Sequence, residues 1–336
     1  MSISYRTRQN LRSSLSIAIT AIVITVLVLL CLLIWLQRFI VYTDDGVILD
    51  FDQNKDFGQS QLPEANKQPP SATIHYSDTP YQEGLLQLSG YYISPNDLMK
   101  DPQAVQEKLA TLPEGTPVLM DVKGYRGYFY YSTAVGINTS SSYNIQKMDA
   151  LIRWLAESDL YVIARMSSLR DFETVWHNDS CGLKTTSGVT YYDQGDYGLG
   201  YWLDPTNATV QNYLIDVINE LKNKGFDEVV LQNFCFPQSE NLSFKQDKDE
   251  ALQQCAQKLL SSCATDDFAI SFSSEDPNYR LPEGRCRLYL ENISAENAQA
   301  AWDSATVEEK RRYLVFIAPG GDTRYDIENG VLRPLP

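Results

Sequence analysis

Seven strand-length apolar runs alternate with amphipathic helical stretches beyond Leu85, and this alternation restricts the fold more than any other feature of the sequence. The runs are "LLQLSGYYIS", "PVLMDVKG", "LYVIARM", "DEVVLQNFCFP", "FAISFSS", "RLYLEN" and "RYLVFIAP". Between them lie a predicted helix over Asp101–Leu112 and one with Ile145, Met148, Leu151, Ile152 and Leu155 on a single face. A third carries Val210, Leu214, Val217, Ile218 and Leu221 in register and closes at Gly225. Lys248–Cys263 and Ala295–Ala305 complete the set. Repeated strand–helix units imply an α/β fold with a mostly parallel sheet and helices outside. Seven units favour a TIM-type (β/α)8-like barrel over an open sheet, with the eighth unit weak, missing or improvised from "GVLRPLP".

Ahead of this domain, Ile17–Leu36 runs without a charge. At about 1.5 Å per residue its length matches a hydrocarbon core of roughly 30 Å. Arg6, Arg8 and Arg12 precede it, and no acid occurs before Asp44. The positive-inside rule then predicts a cytoplasmic N-terminus over 1–16, a single uncleaved transmembrane anchor over 17–36 and an extracellular remainder. The stretch 37–84, rich in Asp, Gln, Pro and Ser, reads as an extracellular linker, which leaves 85–336 for the barrel.

Charge and residue usage exclude several functions. Removing the four arginines Arg6, Arg8, Arg12 and Arg38 from the 28 basic residues leaves 24 against 43 acidic ones, a formal charge of −19. Such a surface does not attract nucleic acid or an anionic polymer. With no CxxC and only His75 and His177, a zinc site and a Ser-His-Asp triad are both disfavoured. No GxGxxG or Walker loop follows a strand, so no nucleotide cofactor is expected. Beyond Cys31 the five cysteines face an oxidising side under this topology. Their placement relative to the strands predicts Cys181–Cys235 and Cys263–Cys286 bridges, with Cys255 unpaired.

A barrel gathers the C-terminal ends of its strands at one face. Those ends supply Asp121 and Lys123, Arg165, Gln232, Asn233 and Cys235, Ser273 with nearby Glu275, and Glu291. The following loops add Tyr128, Trp202 and Asp204 within "GYRGYFYYS" and "TYYDQGDYGLGYWLDP". Aromatic faces beside amides and carboxylates suit sugars, whose C–H faces stack while their hydroxyls hydrogen-bond. Alternatives remain at single positions: Asp121 with Lys123 and Arg165 could be a structural ion pair, and Asp204 a turn or cap residue.

Together these stretches resemble a family of glycoside-hydrolase-like bacterial extracellular barrels, distantly similar to the alpha-amylases. The resemblance runs from about Leu88 to Ser273 and rests on several motifs. They are "DVKxxxGY" (Asp121 to Tyr128), "YVIAR" (Tyr161 to Arg165), "WxDP" (Trp202 to Pro205), "GFDEV" (Gly225 to Val229) and the "FP" of Phe236 and Pro237. It implies a TIM-type barrel that binds cell-wall or other glycan, with Lys123, Tyr128, Arg165, Trp202, Asp204, Gln232 and Asn233 as substrate-binding candidates. The departures fall at the chemistry. Gln232 and Ser273 stand where the family has aspartates, and Cys235 where it has an arginine. Glycosidic hydrolysis ordinarily needs two carboxylates. Removing one acid–base group costs on the order of 10²–10⁴ in rate. The resemblance therefore implies a degenerate, carbohydrate-binding site, with an active hydrolase using Asp121 and Glu275 or Glu291 as the alternative. A structural or protein-binding ectodomain is the remaining reading.

Overall fold

Strands whose two faces are both apolar need cover on both sides, and a closed barrel ringed by helices provides it. The computed structural model describes residues 40–43, 46–49, 85, 87–195 and 198–336. Eight parallel strands close into one barrel: β1 (Ser89–Tyr92), β2 (Pro117–Lys123), β3 (Tyr161–Ser167), β4 (Glu228–Gln232), β5 (Ala269–Ser274), β6 (Leu288–Leu290), β7 (Leu314–Ile317) and β8 (Gly330–Pro334). Neighbours in sequence are neighbours in the sheet, and β1 closes the ring by pairing with both β8 and β2. The eighth strand is the improvised one, built from "GVLRP".

Alternation along each strand separates two cores. Inward-facing Leu88, Leu119, Ile163, Val230, Tyr289, Val315 and Leu332 fill the barrel. Outward-facing Val118, Met120, Val229, Leu231, Ile270 and Phe272 pack under the helices. At its N-terminal end the barrel buries a polar cluster. Glu228 pairs with Arg287 and accepts hydrogen bonds from Tyr161 Oη at 2.9 Å and Tyr289 Oη at 3.0 Å. Burial by itself would lower the Arg287 pKa, but the Glu228 carboxylate together with the Tyr289 and Tyr161 phenols outweighs it and raises the value.

The helices follow from local signals. Asp101 both ends α1 (Pro95–Lys100) and caps α2 (Pro102–Leu109), so Pro102 divides what the periodicity predicts as one helix over Asp101–Leu112. Asn144, Asn207 and Asp247 cap α3 (Ile145–Ala156), α5 (Ala208–Asn223) and α6 (Lys248–Cys263), while Asp171 caps the short α4 (Phe172–His177). Gly225, at φ +90°, turns α5 into β4 where a Cβ would lie 2.5 Å from Ala156 Cβ. The second half carries less helix. No helix joins β5 to β6, the predicted Ala295–Ala305 shrinks to α7 (Ala298–Ser304) beside α8 (Lys310–Tyr313), and a 3-10 turn precedes β8.

Separately, Ile40–Thr43 and Gly46–Leu49 pair as an antiparallel hairpin within the stretch read as linker. The predicted anchor over 17–36 lies outside the described residues. Among the described residues no helix is long and apolar enough to cross a membrane.

The cysteine expectation is corrected: Cys181, Cys235, Cys255, Cys263 and Cys286 are all free. Strand topology brings the members of each predicted pair toward one end of the barrel but does not aim them at each other. Cys263 Sγ faces the Ile215 carbonyl at 3.9 Å, whereas Cys286 Sγ faces the Pro282 carbonyl at 3.5 Å. Burial pushes the Cys255 and Cys286 thiols up to about 12 and Cys263 up to about 11. Cys235 is pushed up to about 11 as well, so its exposure, and not its acidity, should make it the first of these five to react with a thiol reagent such as dithionitrobenzoate under native conditions. The four buried thiols should follow only on unfolding, and prompt native labelling of any of them would contradict this arrangement.

Candidate functional site

The C-terminal mouth of the barrel is organised by Arg165, at the end of β3. Its Nε donates to Asp121 Oδ1 at 2.6 Å and its Nη2 to Asp121 Oδ2 at 3.0 Å. Nη1 reaches across to Glu291 Oε1 at 2.9 Å. Gln232 Nε2 donates to the remaining Glu291 oxygen, Oε2, at 2.7 Å. The four side chains thus form one chain, Asp121–Arg165–Glu291–Gln232, contributed by β2, β3, β4 and the residue after β6. Burial opposes the Arg165 charge, yet the two carboxylates outweigh it and hold its pKa above the ordinary arginine value. The triad Asp121, Arg165 and Glu291 retains partial solvent access, with side chains 12–16% exposed.

Gln232 occupies the inward side of β4 together with Val230, while Val229 and Leu231 pack outward. Between β4 and β6, Ser273 is buried, and its Oγ has no hydrogen-bond partner among the described residues. A half-buried Tyr92 at the end of β1 lies within electrostatic reach of Arg165. Tyr130 stacks on Tyr143 at a centroid distance of 4.1 Å and 14°. Burial first, and then Asp121, push the Tyr130 phenol up to about 12. Sequence reasoning did not select Tyr92 or Tyr143. The position of Tyr92 at the end of the first strand was the available signal for it, whereas Tyr143 lies in a loop and carries none.

Other predicted site residues lie elsewhere. Residues two apart on a regular strand share a face, but the β2–β3 register shifts between Asp121 and Lys123. That irregularity separates the two side chains: Asp121 enters the mouth, and Lys123 turns toward the helical layer. Lys123 Nζ bonds Asp171 Oδ2 at 2.8 Å and the Ser167 carbonyl at 2.7 Å, with both charged side chains 0% exposed. Its ammonium lies 5.8 Å from the Phe129 ring centroid and 5.9 Å from that of Tyr213 on α5. This is a sealed ion pair, out of reach of a ligand in the mouth.

Asp204 makes a turn ahead of α5, its Oδ1 accepting from Thr206 N at 2.9 Å. Trp202 is buried, donates to Asp193 Oδ2 at 2.9 Å and packs beside Arg170. Asn233 takes a left-handed conformation at φ 55° and donates to Ser167 Oγ at 3.0 Å, so it closes the end of β4. Tyr128 lies beside Glu173, whose hydrogen bond raises its pKa. Glu275 is exposed and accepts from Asn292 Nδ2 at 2.6 Å. Among the described residues no group of His, Cys, Asp and Glu could hold a metal ion.

This chemistry can recognise a polyol: two carboxylates, a guanidinium, an amide and a buried hydroxyl converge beside tyrosine rings. The arrangement is less suited to moving protons. Each of the four carboxylate oxygens of Asp121 and Glu291 already accepts a hydrogen bond from Arg165 or Gln232.

No curated protein sequence matches the chain. Among solved structures, a cycloalternan-degrading enzyme from Trueperella pyogenes overlays at 9% identity and a TM-score of 0.50, covering 73% of this chain and 42% of that one. An alpha-galactosidase from Thermus thermophilus overlays at 10% identity and a TM-score of 0.45, covering 74% and 47%. A hypothetical protein from Ruminiclostridium thermocellum shares 22% identity at a TM-score of 0.45, covering 55% of this chain and 96% of that one. The chain spans less than half the length of either enzyme, and at such identity the cycloalternan-degrading enzyme speaks for the barrel fold alone. The sequence evidence is more specific: residues 90–267, more than half of the chain, match the family described as "Putative glycosyl hydrolase domain", and the chain belongs to that family.

Proposed function

We propose that this chain is a single-pass membrane protein with a cytoplasmic N-terminus, whose extracellular barrel binds glycan without hydrolysing it. The observation that carries the reading is the side-chain chain Asp121–Arg165–Glu291–Gln232, in which a glutamine completes the hydrogen bonding of Glu291. An amide donates and accepts hydrogen bonds but cannot ionise to act as nucleophile or base. The apolar run Ile17–Leu36 supports the tether, and the family supports carbohydrate as the ligand class.

The test is a glycan array probed with the full chain in mild detergent. Gln232→Ala should weaken binding to the best glycan about threefold to tenfold, the range expected for one hydrogen-bonding side chain. The wild type should release no reducing sugar from that glycan. If the folded protein binds no glycan at all, the reading fails.

One observation favours a second reading, an active retaining hydrolase. A single guanidinium bridges Asp121 and Glu291, so the two carboxylates stand near each other, and retaining enzymes place theirs about 5–5.5 Å apart. Turnover abolished by both Asp121→Asn and Glu291→Gln would establish that alternative. The exposed Glu275, bonded to Asn292, does not enter this bridge.

A further inference from the structure

Two large rings stand in water on this protein for no reason the core supplies. Trp176 is 66% exposed and Tyr192 is 55% exposed. They belong to one continuous ring surface with Phe172 and Tyr201. Phe172 and Trp176 lie parallel within 11° at a centroid distance of 5.7 Å. Phe172 and Tyr201 lie within 27° at 5.2 Å, and Tyr192 meets Tyr201 edge-on at 6.2 Å. Rings in full face-to-face contact would approach to about 3.5–4 Å, so the parallel pairs are offset stacks that cover one another's faces only in part.

We propose that Phe172, Trp176, Tyr192 and Tyr201 form a binding platform for an uncharged glycan chain that extends from the barrel mouth. The inference rests on the carbohydrate reading above and adds a second, outer site and a ligand class to it. Three observations carry it.

Sugar rings present flat C–H faces that stack on aromatic faces, and offset parallel rings spaced by about one sugar width suit a polymer more than a single sugar. The platform is held stiffly, so little ordering cost remains on binding. Asp171, immediately before Phe172, is pinned by Lys123 at 2.8 Å and Tyr213 at 3.0 Å, and its backbone N–H donates to the Tyr201 carbonyl at 3.0 Å. Glu173 N also bonds the Arg126 carbonyl at 3.1 Å, and the Arg126 guanidinium lies 5.3 Å from the Phe172 ring. Finally, the platform follows the C-terminal end of β3, the strand that carries Arg165 to the mouth. The −19 charge beyond Arg38 repels an anionic polymer, and the four platform side chains carry no charge to pair with an ionic one, which suits an uncharged chain.

The test titrates the full chain in detergent with uncharged oligosaccharides of two and six sugar units, from the glucan and chitin series. The six-unit ligand should bind about tenfold tighter than the two-unit one, a difference of about 1.4 kcal/mol. Trp176→Ala and Tyr192→Ala, both surface changes, should each remove most of that preference while leaving two-unit affinity unchanged. Trp176 fluorescence should shift to shorter wavelength with the six-unit ligand only. Binding without any length preference, or a preference that survives both substitutions, overturns the platform and leaves the mouth reading intact. Absence of binding to every member overturns both. Loss of binding to phosphatidylcholine vesicles in Trp176→Ala, with sugar binding unaltered, would instead make the rings a membrane contact and overturn the glycan platform.

Discussion

Lys123→Met should lower the unfolding free energy by about 3–5 kcal/mol, the cost of leaving one member of a buried ion pair without its partner. Asp171 would then be a carboxylate with 0% side-chain exposure and no opposing charge. The same Asp171 caps α4 through Thr174 N at 2.9 Å and accepts from Tyr213 Oη at 3.0 Å, so the damage reaches the short helix that carries Phe172 and Trp176. In a domain of this size about 2–4 °C of melting temperature accompanies each kcal/mol, so the midpoint should fall by about 10 °C. The double variant Lys123→Met, Asp171→Leu should recover part of the loss, because an apolar pair of similar bulk needs no compensation. A thermal scan of the two variants decides the matter. If Lys123→Met leaves the midpoint unchanged but weakens glycan binding, the lysine is a ligand contact and the sealed-pair assignment is wrong.

Glu228→Leu is the second large effect. Glu228 is fully buried at the closed end of the barrel, where Arg287, Tyr161 and Tyr289 all bond to its carboxylate. Removing it takes the buried carboxylate away from the Arg287 charge and from two phenol donors together, and the loss should again be about 3–5 kcal/mol. Adding Arg287→Met should return a substantial fraction, and a double-mutant cycle measures the coupling directly. Glycan affinity of whatever folded protein remains should be unchanged, since this cluster occupies the opposite end of the barrel from Asp121 and Glu291. A Glu228→Leu protein that melts like the wild type would show that the cluster contributes no net stability.

Under the proposed function, binding and stability fall to different groups of charges in this barrel. Charges at the mouth keep partial access to solvent, as in the triad of Asp121, Arg165 and Glu291. Charges beneath and beside it are sealed, as in Lys123 with Asp171 and Glu228 with Arg287. Substitutions in the first group should change affinity more than melting temperature, and substitutions in the second should do the reverse.

Periodicity determined the barrel, because each strand and helix must bury a face and the side-chain period reports which face that is. Val229 and Leu231 against Val230 and Gln232 already put the glutamine on the inner side of β4, and parallel register does the rest. The family resemblance was equally legible, since its motifs are local runs of residues.

Only the tertiary structure decided which polar residues meet. Lys123 and Asp121 look equivalent at two-residue spacing, and an irregularity in one strand pair sends them to different layers. Asp204 spends its side chain on the backbone of its own turn, and Asn233, in a left-handed conformation, spends its amide on Ser167 Oγ of the neighbouring strand, uses that residue type alone does not distinguish from ligand binding. The predicted cysteine pairs failed for a related reason: topology places a residue at one end of a barrel but does not aim its side chain. The Arg165 bridge from Asp121 to Glu291 spans 126 positions of sequence on its longer arm. Pairing over that separation is set by barrel closure, where strands far apart in sequence face each other across one interior, and no local pattern encodes it.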